Sequence, residues 1–237
     1  MTTIASNLQA VRAAIKKAAA CAGRSADDVS LLAVSKTFTE SAIRDAYRSG
    51  QTRFAESYVR EALDKIAALH DLPIEWHYIG PIQSNKTRAI AEHFAWVHSV
   101  DRLSIAERLS AQRPAQLPPL QVCLQVNISS EVSKSGASPD QLSALAHAIA
   151  KLPGLKLRGL MAIPAPVDDI AAQRQPFERL HELLNQLNRE GLQLDTLSMG
   201  MSQDFVAAIA EGATIVRIGS AIFGARDYSR SGLFKSP

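Results

Sequence analysis

Cysteine is nearly absent. The 237 residues hold two, Cys21 and Cys123, far apart and at no metal-ligand spacing. A disulfide framework is therefore excluded, and two free thiols, buried or half-buried, are expected. The six histidines form no HExxH and no His/Cys cluster, so no metal site is expected. Charge of one sign is lacking too. Twenty-six basic residues face 23 acidic ones, a net charge of +3, which is too balanced to point to nucleic acid or a membrane surface. No run is long and apolar enough to span a bilayer. The start, MTTIASNLQAVRAAIKKAAACAG, lacks the unbroken apolar core of a secretory signal. It also lacks an acid before Asp27, which keeps a mitochondrial transit peptide as a minor alternative to a cytoplasmic protein. No GxGxxG follows the first strand, which weakens a dinucleotide reading. No Pro/Gly/Ser linker divides the chain; RPAQLPPL (113–120) reads as a helix-to-strand loop.

What is present is a repeat of two textures. Ile4, Leu8, Val11 and Ile15 fall at helical spacing, which predicts an amphipathic helix within residues 1–28. After it, short Val/Ile/Leu-rich runs alternate with helical patterns. The runs are VSLLAVSK (29–36), TRFAES (52–57), IEWHYIG (74–80), WVHSV (96–100), LQVCLQVNI (120–128), LKLRGLMAI (155–163), LDTLSMG (194–200) and TIVRIGSAIFG (214–224). Between them stand helix candidates such as ESAIRDAYRSG and QPFERLHELLNQLNREG. The latter sets Phe177, Leu180, Leu183, Leu184 and Leu187 on one face and ends on Gly191 as a C-cap. Strands alternating with helices make parallel sheets. Eight such units predict an α/β fold over 1–237: a single (β/α)8 TIM barrel preceded by an N-terminal helix. An open doubly wound sheet is the alternative.

In such barrels chemistry sits at the C-terminal strand ends. Lys36 ends the first run, and Thr37-Phe38-Thr39-Glu40 has the capping-box pattern, with Thr37 as cap. A helix starting there would fix Lys36 at the mouth. Partial desolvation favours a neutral amine, which forms a Schiff base with an aldehyde. A lysine snorkelling at a strand end is the other reading. In the last two units, Ser202 stands at an expected helix N-cap, and the final strand ends in Gly219-Ser220. Backbone N–H groups and hydroxyls at such positions bind phosphate, and the loops after strands seven and eight are a common barrel phosphate site. Simple turn and cap roles are the alternative. Arg217 shares the inner face of its strand with Ile215 and Gly219. There it needs a partner, either a ligand acceptor or an inward acid. Lysine for an aldehyde, hydroxyls for a phosphate and arginine for a ring acceptor together suit pyridoxal 5′-phosphate (PLP).

The chain resembles the PLP homeostasis family, the YggS/PROSC type, along nearly its whole length. The matching stretches are AVSKT (33–37), HYIGPIQSNK (77–86), VHSVD (97–101), VNISSEVSKSG (126–136), GLMAI (159–163), SMGMSQD (198–204) and VRIGSAIFGARDY (216–228). The resemblance implies a barrel similar to that of alanine racemase and PLP held as an internal aldimine on Lys36. By the same carry-over Ser202, Gly219 and Ser220 take the phosphate, and Arg217 faces the pyridine nitrogen. An arginine there disfavours protonating that nitrogen. The family usually reads Phe-Gly-Glu-Asn-Tyr where this chain reads Phe54-Ala55-Glu56-Ser57-Tyr58, so Ser57 offers a shorter hydroxyl near the cofactor. Ser220, often threonine in the family, keeps the hydroxyl.

Further residues carry two readings each. His77, in the third run, lines the pocket or is a packed core histidine. Met161 is pocket wall or core. Lys86 and Lys134 attract an anion or are solvated surface lysines.

The first functional expectation is a PLP carrier and homeostasis protein without robust catalysis. It would supply PLP-dependent apo-enzymes, with no nucleic acid or membrane partner, and the resemblance suggests a monomer. The alternative is a PLP-dependent amino-acid racemase. Alanine racemase takes its second acid/base tyrosine from a further β-domain, and this chain ends at Pro237, so only Tyr58 or Tyr78 could replace it. A cofactor-free Schiff-base aldolase is the third class.

Overall fold

The structure, a computed structural model, describes residues 3–129, 135–167 and 169–225. Eight parallel strands close into a barrel in sequence order. They are β1 (Ser30–Val34), β2 (Arg53–Glu56), β3 (Glu75–Tyr78), β4 (Trp96–Val100), β5 (Leu120–Gln125), β6 (Leu155–Met161), β7 (Thr196–Ser198) and β8 (Ile215–Ile218). Around them run α1 (Ile4–Cys21), α2 (Glu40–Arg48), α3 (Val59–Ala68), α4 (Thr87–His93), α5 (Leu103–Gln112), α6 (Pro139–Ala150), α7 (Ile170–Arg189), α8 (Phe205–Ala210) and α9 (Ser220–Phe223). The expected N-terminal helix and (β/α)8 order are both present. Pairing of β1 with β8, from Ser30 opposite Ile215 to Ala33 opposite Ile218, shuts the barrel and removes the open-sheet alternative.

Strand alternation sorts the apolar residues into two layers. Leu32, Val34, Ala55, Trp96, Cys123, Met161 and Ile215 fill the barrel interior. Ala33, Phe54, Val97, Val122, Leu160, Val216 and Ile218 face the helices and join the larger outer core. In α7 all five residues of the predicted apolar face are buried. Gly191 has φ +100°, the left-handed conformation a helix C-terminus favours. Gly159 is required by contact: a Cβ there would overlap the carbonyl of Thr196 on the paired strand.

The foot of the barrel, at the strand N-termini, is closed by charge pairs. Arg53 Nε lies 3.1 Å from Glu75, and Arg158 grips Asp195 at 2.7 Å while lying 4.9 Å over the Trp96 ring. A cavity of about 600 Å³ opens among these groups. Among the described residues no helix is long and apolar enough to cross a membrane.

Helix α1 buries Leu8, Val11 and Ile15 and ties to the barrel wall through Asn7 Nδ2, which donates to the Ile222 carbonyl at 2.9 Å. It is therefore part of the core. Leu8→Ala should cost about 2–5 kcal/mol in urea unfolding, whereas exposed Lys16→Ala should stay within about 0.5 kcal/mol.

Candidate functional site

Lys36 stands two residues past the end of β1, which stops at Val34, and is half-buried at the mouth. The expected cap at Thr37 is not formed. Thr37 has φ +70°, and α2 starts later, with Thr39 as N-cap accepting from the Ala42 N–H at 3.3 Å. The reason is a competing acid. Glu61 of α3 accepts the Thr37 N–H at 2.6 Å and holds the backbone out of the helix.

That contact belongs to a buried cluster which grips both neighbours of Lys36. Lys65 Nζ donates to Glu56 at 2.8 Å, to Glu61 at 2.5 Å and to the Ser35 carbonyl at 2.8 Å. The Ser35 hydroxyl donates to Glu56 at 2.7 Å. Ser35 and Thr37 are thus both fixed, and the Lys36 backbone between them is pinned. Glu61 and Lys65, four apart on α3, would pass in sequence for a surface pair; only the packing of α3 on β1 and β2 buries them. Burial drives the Glu56 carboxyl up to about 6 against the opposing pull of Lys65. Its second oxygen, Oε2, and Thr37 Oγ1 have no hydrogen-bond partner among the described residues.

The neighbouring part of the rim supplies hydroxyls. Ala33 pairs with Ile218, so Gly219 and Ser220 leave β8 where Lys36 leaves β1. Gly219 caps the four-residue α9, and a Cβ on it would lie 3.1 Å from the Val34 carbonyl. The Ser220 hydroxyl lies 3.4 Å from that of Ser202. Ser202 is not the helix cap expected of it: α8 starts at Phe205 with Asp204 in the cap position, and Asp204 Oδ1 accepts the Met201 N–H at 2.5 Å. The Ser202 side chain is thereby left facing Ser220. Gly200, at φ +89°, permits the tight turn; a Cβ there would crowd Ala208 at 2.6 Å.

Arg217 is buried inside the barrel, as alternation predicts. It has no acid as an ion-pair partner among the described residues. Its NH1 donates to the Ser198 carbonyl at 2.6 Å and to the Ser198 hydroxyl at 2.9 Å, and NH2 donates to the Ala162 carbonyl at 2.9 Å. Burial lowers its pKa to about 10, so it stays charged at neutral pH. Cys123, also inside, is pushed up to about 12 by burial and stays a thiol. Met161 ends β6 in the same interior cluster.

Ser57 is buried just past β2, and its carbonyl accepts the Tyr78 hydroxyl at 3.1 Å. Tyr58 is exposed at the start of α3. His77 faces inward, but its ring is spoken for on both sides, by Glu75 and by His98. His98 and Ser198 escaped the sequence reading. The structure puts both inside, on β4 and β7, and a lone histidine and a lone serine carry no sequence signal of their contact. Lys86 is exposed in a short 3-10 turn, and Lys134 lies outside the described residues.

Removing Lys65 would leave Glu56 buried without its counter-charge. Lys65→Met should cost roughly 3–5 kcal/mol, and adding Glu56→Gln should recover most of it. A carboxyl whose folded pKa is raised favours the fold most at low pH and loses that contribution as pH rises through about 6. Urea unfolding of Lys65→Met should therefore show its deficit shrinking between about pH 7 and about pH 5; a deficit that grows on acidification contradicts this account.

Residues 6–227 match the family described as alanine racemase, N-terminal domain. The pyridoxal phosphate homeostasis protein of Pseudomonas aeruginosa is 64% identical over 228 residues, covering 96% of this chain and 98% of that one. PipY of Synechococcus elongatus, solved with PLP bound, superposes with a TM-score of 0.83 at 37% identity, covering 94% of this chain and 100% of PipY. Alanine racemase from Corynebacterium glutamicum is 16% identical with a TM-score of 0.69, over 92% of this chain and 62% of the racemase, a likeness of fold alone. The chain belongs to the alanine racemase N-terminal domain family, on its pyridoxal phosphate homeostasis branch.

Proposed function

We propose that this protein binds PLP at the barrel mouth and acts as a PLP carrier in cofactor homeostasis, with Lys36 as the covalent anchor. One observation carries the reading: an amine with a pinned backbone and a facing pair of hydroxyls share one rim, on strands β1 and β8 that are hydrogen-bonded neighbours. When bound, PLP supplies an aldehyde that condenses reversibly with an amine, together with a phosphate and a pyridine ring. The residues present fit that group. The Ser202 and Ser220 hydroxyls would hold the phosphate, and Gly219 leaves room that a side chain would fill. Arg217, already donating to two carbonyls and a hydroxyl, would present a charged donor to the pyridine nitrogen and hold it unprotonated. Ser57 and Met161 would border the ring.

The same reading sends PLP onward to apo-enzymes, since a half-buried lysine at an open rim leaves the anchor within reach of an acceptor. The site as proposed draws on one chain, which supports a monomer. A reducing, cytoplasmic setting is compatible with two free thiols, Cys21 exposed and Cys123 buried. Carrier is favoured over racemase because the relative of high identity is named for homeostasis, whereas the racemase likeness is one of fold.

Incubation with PLP followed by borohydride should fix one adduct in the wild type and none in Lys36→Ala, read by intact mass. An undiminished adduct in Lys36→Ala would move the anchor to another lysine. Racemisation of amino acids by the loaded wild type at enzymatic rates would replace the carrier reading with the racemase.

A further inference from the structure

A line of hydrogen bonds crosses the barrel interior from foot to mouth. At the foot, Glu75 Oε1 lies 2.9 Å from His77 Nε2. His77 Nδ1 lies 2.8 Å from His98 Nε2, and His98 Nδ1 lies 2.7 Å from Ser198 Oγ. Ser198 Oγ in turn accepts from Arg217 NH1 at 2.9 Å. Five side chains from β3, β4, β7 and β8 are joined without a gap, and His77, His98, Ser198 and Arg217 are buried.

We propose that these five groups form a relay with one fixed direction, in which the Glu75 carboxylate at the foot orients every proton up to Arg217 at the cofactor end. The direction follows from donor counting. A neutral imidazole has one N–H and one bare nitrogen, and an ionised carboxylate only accepts. His77 must therefore donate from Nε2 to Glu75, which leaves its Nδ1 bare. That nitrogen must accept, so His98 carries its proton on Nε2. His98 Nδ1 is then bare and takes the Ser198 hydroxyl proton. Ser198 Oγ is left with lone pairs on the side where Arg217 donates. The opposite order would set a bare His77 nitrogen against the carboxylate, two acceptors with no proton between them.

The surroundings agree with neutral rings. Burial holds His77 below its ordinary pKa and His98 well below, with the Arg217 charge adding to the effect on His98. The His77 hydrogen bond, helped by Arg53, holds Glu75 below the usual carboxylate range. Trp96 stacks on His77 at 5.5 Å and carries Arg158, the partner of Asp195, at 4.9 Å from its ring. Cys123 stays a thiol, and Asp204 is the acid acting on Arg217 from the rim.

The consequence is that the donor order at the buried guanidinium is set from the foot, where Glu75, itself ion-paired with Arg53, fixes both histidine tautomers so that Ser198 Oγ presents lone pairs to Arg217. Glu75, His77, His98 and Ser198 are thus positioning residues for Arg217. Their bearing on the pyridine nitrogen rests on the PLP reading above; the relay itself does not.

The test uses PLP-free protein labelled with 15N-histidine. Both His77 and His98 should be protonated on Nε2 alone at neutral pH, with a trans-hydrogen-bond 15N–15N coupling between His98 Nε2 and His77 Nδ1. An Nδ1-protonated ring or an imidazolium at either position overturns the relay. In Glu75→Gln the amide can donate as well as accept, so the fixed order should be lost and a second, Nδ1-protonated form of both rings should appear. A single unchanged tautomer in Glu75→Gln would remove the carboxylate from its role. Adding PLP separates the two claims. Predicted tautomers in a protein that never takes up PLP would leave the relay and end the carrier reading; PLP uptake with other tautomers would do the reverse.

Discussion

The pairing of β1 with β8 is the constraint on which the rest depends. It closes the barrel, and its register sets Lys36 beside the turn that carries Gly219 and Ser220. A slip of β1 by one residue against β8 would turn Leu32 and Val34 out of the interior, and a slip of β8 would instead send Arg217 to the helix side, because strand side chains alternate. The apolar interior and the candidate site are therefore specified by the same register. Gly159 shows how closely the wall is built, since a single methyl would meet the neighbouring strand.

Two buried polar systems serve this frame at different heights. At the mouth, Lys65, Glu56 and Glu61 hold the chain on either side of Lys36, and Thr37 is kept in a left-handed conformation that a residue with a side chain adopts at a cost. Through the middle, the histidine pair and Ser198 link Arg217 to the foot. Both follow one rule: a charge taken out of water must find partners, and the partners then fix geometry. In the first the product is a lysine with a rigid backbone. In the second it is an arginine held as a cation inside an apolar barrel.

The barrel was legible because its strands are short apolar runs and α7 carries a clean face of Phe177, Leu180, Leu183, Leu184 and Leu187. Local capping signals misled. Thr37 and Ser202 each look like helix caps, yet Thr39 and Asp204 take those positions, because Glu61 captures Thr37 and the Gly200 turn delays α8. Of the two partners weighed for Arg217, a ligand acceptor or an inward acid, the acid is not found as an ion pair among the described residues, and two carbonyls and a hydroxyl take the guanidinium donors. Lys65, His98 and Ser198 were invisible for another reason. Lys65 sits four residues from Glu61 and reads as half of a surface pair until packing buries it, whereas His98 and Ser198 meet across 100 residues, beyond the reach of any spacing rule.

Where PLP sits on the barrel rim decides the roles of Lys36, Ser202, Ser220 and Arg217 together. A crystal structure of the protein grown with PLP tests this most directly. The prediction is continuous density from Lys36 Nζ, with the phosphate between the Ser202 and Ser220 hydroxyls and the ring nitrogen facing Arg217. Cofactor density attached to another lysine, or a phosphate bound elsewhere on the barrel, would contradict it.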